Sequence, residues 1–342
     1  MDAQELTRLR HKYQHAKGDD IFDPVFRQAA AHVFQGKGDR KLPYAGVSTL
    51  LDAPYQEDFT GLDVALIGVP MDLGVTNRPG ARFGPRAVRD VERIGPYNHG
   101  LNLVPRAVVQ LADVGDVPFR SRFSLEKSIA DIETFYHRVC DAGVMPVSVG
   151  GDHSITYPIL KALGREAPVG LVHIDAHCDT GGEYDHAKFH HGGPFRLAVL
   201  DGVLDPTRTI QIGIRGPAEI FWEFSYDAGM TVLHIEDVMR MGIDTVIATA
   251  RAVVGPGPVY ISFDVDGLDP TYAPGTGTPE VGGLTPREAQ QILRGLQGLQ
   301  VIGGDVVEIA PQYDPTSNTA QIGAQMLFEV LCLVALGKQA AR

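Results

Sequence analysis

From Asp63 onward, apolar runs alternate with amphipathic stretches. The runs at 63–69, 107–112, 145–149, 170–175, 208–213, 231–235, 258–264 and 300–307 are rich in Val, Ile and Leu and have the length of strands. Residues 84–94, 124–141, 154–163, 194–202, 217–228, 237–252, 285–297 and 318–336 place apolar side chains at helical spacing. This alternation predicts an α/β fold, a parallel sheet with helices on both faces. Parallel neighbours need a long crossover, and strands covered on both faces read as continuous apolar runs. Ligands of such sheets bind beyond the carboxyl ends of the strands. Residues 1–60 lack the rhythm. They comprise a charged segment, a short helix begun by Asp23 and Pro24 and closed near Gly36, and a loop with Pro43 and Pro54. They are expected to form an N-terminal extension for packing or oligomer contacts, with residues 61–342 one domain. There is no internal repeat and no low-complexity tract.

Three of the apolar runs end in residues that a buried strand normally excludes. Val172-His173-Ile174-Asp175-Ala176-His177-Cys178-Asp179 carries Asp175, His177 and Asp179 at every second position, which puts them on one side of an extended segment. Val259-Tyr260-Ile261-Ser262-Phe263-Asp264-Val265-Asp266 repeats the pattern, and Met145 to His153 ends in a histidine. An unpaired buried carboxylate costs several kcal/mol, so this accumulation calls for a strong opposite charge, for which a divalent cation is the natural candidate. The alternative, acids capped or salt-bridged at loop starts, suits one such motif but not three together. The donors His153, Asp175, His177, Asp179, Asp264 and Asp266 are oxygen and nitrogen without thiolate, which suits Mn2+, with Ni2+, Fe2+, Co2+ or Mg2+ as alternatives, better than a structural zinc site. Six ligands exceed what one catalytic ion with an open position needs. They suit two ions about 3.5–4 Å apart that share bridging carboxylates and lower the pKa of a water between them.

Composition narrows the class. A net charge of −12 and pI near 5.4 leave no basic footprint for nucleic acid or acidic lipid. Cys140, Cys178 and Cys332 form no CxxC pair and are read as reduced, and Cys178 as a small packed residue. No apolar run of about 18 residues and no hydrophobic signal core are found, so a soluble cytoplasmic enzyme without membrane contact is expected.

The motifs also carry a resemblance. Gly150-Gly151-Asp152-His153-Ser154, Asp175-Ala176-His177-Cys178-Asp179, Ser262 to Pro270 and Ala273 to Leu284 resemble the signature blocks of the ureohydrolases, the arginase and agmatinase family. The resemblance runs from about Asp63 to the C-terminus. It implies a three-layer α/β/α fold around an eight-stranded parallel sheet, a homotrimer or homohexamer, and a binuclear Mn2+ centre, with Ni2+ the alternative metal. It further implies one ion held by His153, Asp175, Asp179 and Asp264 and the other by Asp175, His177, Asp264 and Asp266. The expected reaction is hydrolysis of a guanidino compound to urea and an amine. A guanidinium carbon is a poor electrophile, so it requires a strong, oriented nucleophile, a carboxylate to hold the planar cation and a proton for the leaving amine. Asp179 could accept a hydrogen bond from the nucleophile, while Glu308 matches the family's guanidinium-binding Glu and His191 its mobile proton-shuttling His. The neighbouring His190 is ambiguous and is not assigned a role.

The loop Gly74 to Pro85 lacks GxGxxG and GKT/S spacing and resembles the family's rim loop. Its Arg78 and Arg82 are read as pinning loops or a neighbouring subunit rather than facing an anionic substrate. Phe221, Trp222, Phe224 and Tyr226 are read as core or interface rather than a substrate cage. Residues 180–191 lack the Asn and Ser pattern with which arginases hold an α-amino acid. Together with 192–196, 211–216 and 313–320 they resemble the guanidinopropionase and guanidinobutyrase branch, implying a guanidino acid substrate. Agmatine, and a small alkylated guanidine or biguanide as in metformin-hydrolase-type enzymes, are the alternatives within the chemistry. A non-catalytic regulatory subunit is the alternative outside it, and a related second subunit is a further possible partner.

Overall fold

The computed structural model describes residues 1–34, 42, 44–91 and 94–341. The eight strands are β1 Val64–Val69, β2 Leu111–Asp116, β3 Met145–Gly150, β4 Val169–Ile174, β5 Leu204–Ile214, β6 Thr231–His234, β7 Val259–Asp264 and β8 Val301–Val307. They form one sheet in the order β2-β1-β3-β8-β7-β4-β5-β6, and every neighbouring pair is parallel. Strand periodicity sends alternate side chains to opposite faces, and two separate cores result. Leu66, Val149, Val172, Ile212 and Ile261 face the helices Ile243–Val254, Pro286–Gly295 and Asn318–Ala341. Ile67, Leu171, Tyr260 and Val307 face the helices Leu125–Asp141, Thr156–Leu163 and Pro194–Leu200. The result is the expected three-layer α/β/α arrangement.

Local departures from the expected elements have identifiable causes. The run at 107–112 becomes a strand only from Leu111, because Pro105–Ala107 forms a short 3₁₀ turn first. The helix expected at 237–252 is two helices, Ile235–Met241 and Ile243–Val254, broken at Gly242, whose φ of 78° no helix accepts. The helix expected at 217–228 is a 3₁₀ turn, Glu219–Phe221, followed by Glu223–Asp227. The one expected at 84–94 covers Gly84–Arg89. In the N-terminal part, Asp23 caps a helix over Pro24–Ala30 by accepting from Val25 and Phe26 N–H, and a helix over Ala3–Tyr13 is added. The expected end near Gly36, and Pro43, lie outside the described residues. Leu50 and Ala53 belong to the main core, and Tyr55 makes a parallel bridge to Asp113 at the β2 edge.

The expectation of no long apolar run fails at the last helix. Asn318–Ala340 is long and apolar enough to cross a membrane, but 72% of its most apolar window is buried inside the fold. It packs on β8 and on Pro286–Gly295, as the core helix of one layer. The carboxyl ends of β3, β8, β7 and β4, which are adjacent in the sheet, therefore open onto one shared space, and the sequence places His153, Glu308, Asp264 and Asp175 there.

Candidate metal centre

The acids sit at or just past the strand ends, with Asp264 the last residue of β7. β4 ends at Ile174, one residue short of Asp175. At each motif the first aspartate folds back onto the N–H two residues later. Asp175 Oδ1 accepts from His177 N at 2.6 Å, Asp264 Oδ1 from Asp266 N at 2.8 Å and Asp152 Oδ1 from Ser154 N at 3.0 Å. Such turns bend the chain inward just past the strand and bring side chains i and i+2 to a common space. Gly267 permits the approach of the two acidic turns, since a Cβ there would lie 3.0 Å from the backbone N of Asp175.

Two clusters result. His153 Nδ1 lies 3.1 Å from Asp175 Oδ2, 2.9 Å from Asp179 Oδ2 and 3.2 Å from Asp264 Oδ2. His177 Nδ1 lies 3.2 Å from Asp266 Oδ2 and 3.5 Å from Asp175 Oδ1. Asp175 thus faces both clusters with different oxygens. His153 Nδ1 is buried without a hydrogen-bond partner although three carboxylate oxygens converge on it. Convergence of donor atoms without hydrogen-bond geometry, from an oxygen and nitrogen set, is the arrangement of ligands around a cation. The residues present fit divalent metal ions.

His173 is the residue the sequence reading passed over. It stands in the same i, i+2 row as Asp175 and within metal-ligand distance of His153, Asp175 and Asp179. Both its ring nitrogens are already used. Gln211 Nε2 lies 3.1 Å from His173 Nδ1 and also donates to the Cys178 carbonyl, so His173 Nε2–H donates to Asp175 Oδ2 at 2.7 Å. It holds the Asp175 carboxylate in place with one nitrogen while Gln211 occupies the other.

Burial alone would depress the imidazole of His153, but Asp175, Asp179 and Asp264 outweigh it and raise its pKa well above the ordinary value. His177 is raised in the same way against burial, by Asp266 and Asp175. Burial and then the charges of Asp266 and Asp175 push the Asp264 carboxyl well up, and burial with Asp175 raises Asp266 to about 6. The centre has more negative charge than its histidines can balance, and divalent ions would supply the difference.

Glu308 and His191 meet beside the clusters. Glu308 Oε1 accepts from His153 N at 2.9 Å and lies 2.9 Å from His191 Nδ1, while Oε2 is buried without a partner. His191 Nε2 lies 2.7 Å from the hydroxyl of Thr76. Burial lowers the His191 pKa, but the Glu308 charge prevails and lifts it to about 9. Glu308 (φ 64°) and Asp179 (φ 52°) both hold the left-handed conformation that side chains other than glycine avoid, a strain concentrated at this site.

A cleft of about 300 Å³ opens over the clusters, lined in part by Thr76, Asp179, Tyr184, His190, His191 and Trp222. Phe221 and Trp222 belong to its wall, which corrects the reading of those two as core or interface, while Phe224 packs against the core as expected. Arg78 donates to the carbonyls of Thr276 and Gly277 and stacks over Tyr313, and Arg82 pairs with Asp72, so both arginines pin loops. Cys178 is a buried free thiol, and burial pushes its pKa up to about 12.

The family model described as Arginase family matches residues 62–333. The chain belongs to the arginase family. Among curated arginase-family relatives it is 49% identical over 296 residues to guanidinopropionase of Pseudomonas aeruginosa, covering 85% of this chain and 93% of the relative. It is 46% identical to mitochondrial agmatinase of Gallus gallus, covering 84% and 86%. Among solved structures, proclavaminate amidino hydrolase from Streptomyces clavuligerus superposes with a TM-score of 0.84 at 33% identity, covering 87% of this chain and all of that one. As an arginase-family ureohydrolase, the protein is a hydrolase of guanidino C–N bonds, in a family that uses a binuclear divalent metal centre.

Proposed function

We propose that the protein hydrolyses a short guanidino acid, 3-guanidinopropionate or 4-guanidinobutyrate, to urea and the corresponding amino acid. The observation that carries the reading is the buried, unpartnered Oε2 of Glu308 next to the acidic clusters, an acceptor held ready for a planar cation. The likeness to guanidinopropionase supports the acidic tail. His153, Asp175, Asp179 and Asp264 would hold one ion, and Asp175, His177, Asp264 and Asp266 the other, with Mn2+ ahead of Ni2+. When bound, such a pair supplies the positive charge that lets a water lose a proton near neutral pH.

The chain's own residues do the rest. Glu308 takes the guanidinium by paired N–H donors and fixes the carbon in line for attack. Asp179 accepts a hydrogen bond from the attacking water. The water gives one proton to solvent and its oxygen bonds to the guanidinium carbon, the bond from that carbon to the substituted nitrogen breaks as the nitrogen departs as an amine with a proton from His191, and the oxygen's remaining proton restores His191 as urea forms. A histidine lifted to about 9 is protonated at neutral pH, as a general acid must be. Residues 61–342 form the catalytic domain in this reading, and 1–60 serve packing or oligomer contacts. Exposed Ile220, Met239 and Val281 offer apolar surface for a homotrimer or homohexamer. Net charge −12 and three free thiols support a cytoplasmic location.

One observation favours a second reading, an alkylated guanidine or biguanide. The described residues lining the cleft include Phe221, Trp222, Pro217 and Ala218 but neither Lys nor Arg. Urea release from 3-guanidinopropionate, 4-guanidinobutyrate, agmatine, arginine, guanidine and metformin separates the two. A preference of about tenfold or more in kcat/KM, near 1.4 kcal/mol, for one guanidino acid is expected. Turnover confined to metformin or guanidine would replace the substrate assignment, and preference for agmatine would do the same.

Metal loading should depend on pH in a direction the site dictates. His153, His177 and His191 have raised pKa values, so their contribution to the metal-free protein is full below about 6.5 and is lost as pH rises through the folded values, about 9 for His191. Asp266 and Asp152, raised by burial to about 6, likewise favour the folded state less as pH climbs from 3.8 through 6. Asp175, lowered well below its ordinary value by its histidines against the effect of burial, contributes fully throughout that range. Ions replace the protons of His153, His177 and Asp266, so the rise in Tm on adding Mn2+ should be larger at pH 9 than at pH 6. A rise that shrinks with pH in differential scanning calorimetry would count against ions binding at these residues.

A further inference from the structure

Asp305 is a fully buried carboxylate on the central strand β8 to which the mechanism gives no role. Among the described residues its hydrogen-bond partners are three hydroxyls, none a cation. Thr156 Oγ1 donates to Oδ2 at 2.7 Å, Tyr260 OH to Oδ2 at 2.9 Å and Ser262 Oγ to Oδ1 at 2.7 Å. Burying a carboxylate without a counter-charge is costly, and a core position on a parallel sheet would ordinarily hold an aliphatic residue. The geometry around Ser262 explains what the carboxylate does there. Ser262 sits on β7 directly across from Asp305, and its Oγ lies 2.8 Å from Nε2 of His153.

We propose that Asp305, acting through Ser262, is a positioning residue that fixes which ring nitrogen His153 presents to Asp175, Asp179 and Asp264. The argument is one of proton supply. A carboxylate has none to give, so the hydroxyls around it must point their own protons toward it. Ser262 has one proton and spends it on Asp305, so toward His153 it can only accept. Nε2 therefore carries the hydrogen, and the neutral ring keeps its lone pair on Nδ1. That atom faces three carboxylate oxygens at 2.9–3.2 Å and has no hydrogen-bond partner. In the bare chain Nδ1 holds a second proton toward the acid oxygens, and with an ion in that proton's place it offers the lone pair a ligand requires. With an aliphatic residue at position 305, Ser262 could turn its proton to Nε2, and the ring hydrogen would move to the face where the ion belongs. The buried charge thus sets the polarity of a two-step relay from the sheet interior to the first cluster.

This inference rests on the assignment of His153 as a ligand, and the test separates the two. Ser262→Ala and Asp305→Asn are prepared beside the unaltered protein, all stripped of metal. Mn2+ binding is followed by calorimetric titration, and the bound pair by electron paramagnetic resonance. Ser262→Ala removes the acceptor. Asp305→Asn leaves an amide that can donate as well as accept, so Ser262 is no longer forced. Both should bind one of the two ions about 10- to 100-fold more weakly and exchange the spin-coupled spectrum for that of an isolated Mn2+, with circular dichroism unchanged. Two ions bound with the original Kd and spectrum in both variants would reduce the relay to core packing. Weakening by Asp305→Asn alone would show that the effect does not pass through Ser262, and would overturn the proposal equally. Fewer than two ions in the unaltered protein would remove the ligand assignment and this inference with it.

Discussion

Asp175→Asn is expected to empty both metal positions and lower kcat/KM by about 10³-fold or more, roughly 4 kcal/mol of transition-state stabilisation. Asp175 belongs to both ligand sets and turns a different oxygen to each cluster. Its Oδ2 lies 3.1 Å from His153 Nδ1 and its Oδ1 3.5 Å from His177 Nδ1. Two hydrogen bonds hold the carboxylate in that bridging pose, from His173 Nε2 to one oxygen and from His177 N to the other. Asparagine keeps the shape but substitutes an N–H for one oxygen, so one cluster loses a charge and faces a donor where it needs an acceptor. The loss extends to both positions because each ion is held in part by the charge of the shared acid and by the other ion's ligands. Metal content by mass spectrometry and urea release on the same sample check this. A variant that retains two ions and more than about a tenth of the activity, a barrier change near 1.4 kcal/mol, would show that Asp175 does not bridge.

Glu308→Ala should behave in the opposite way, keeping both ions while kcat/KM falls by about 10²- to 10³-fold, on the order of 3–4 kcal/mol. The lost oxygens are not in either cluster. Oε1 organises the site by accepting from the backbone of His153 and pairing with His191, and Oε2 is the unpartnered acceptor. Both KM and kcat should change, since the same carboxylate holds the guanidinium and keeps His191 protonated. An effect no larger than that of removing Glu166, a surface acid, would end the guanidinium assignment.

Much of this centre is readable in the chain because burial makes polar residues conspicuous. Runs such as Val147-Ser148-Val149 and Val259 to Phe263 have the composition of strands covered on both faces, so an aspartate or histidine at their ends stands out against the expected cost of burying it. The same contrast identifies Glu308 after Val306-Val307. It does not reach residues whose importance lies in a partner. His173 is a histidine in an apolar strand, and nothing adjacent to it says that Gln211, from β5, occupies one nitrogen and Asp175 the other. Thr76 is a rim-loop residue until the fold sets its hydroxyl against His191. Phe221 and Trp222 read as core by type, and only the turn that replaces the expected helix at 217–228 brings them to the cleft wall.

The resemblance of the motifs to the ureohydrolases implies the guanidino chemistry, whereas residue type and order alone establish an α/β chain with eight apolar runs and an acidic and histidine-rich ligand set at three run ends. These follow from free-energy terms that belong to a residue and its near neighbours, namely hydrophobic periodicity and the cost of burying charge. The sheet order, the turns that fold Asp175 and Asp264 inward, the broken helix at Gly242 and the split of histidines into ligand and support belong to the folded molecule. So does the placement of Asp305 across from Ser262, where the direction of one hydroxyl proton is set. A hydrogen bond needs both partners within about 3 Å and aligned. Residues as far apart in the chain as His153, Ser262 and Asp305 meet that condition only after parallel pairing has fixed the register of their strands.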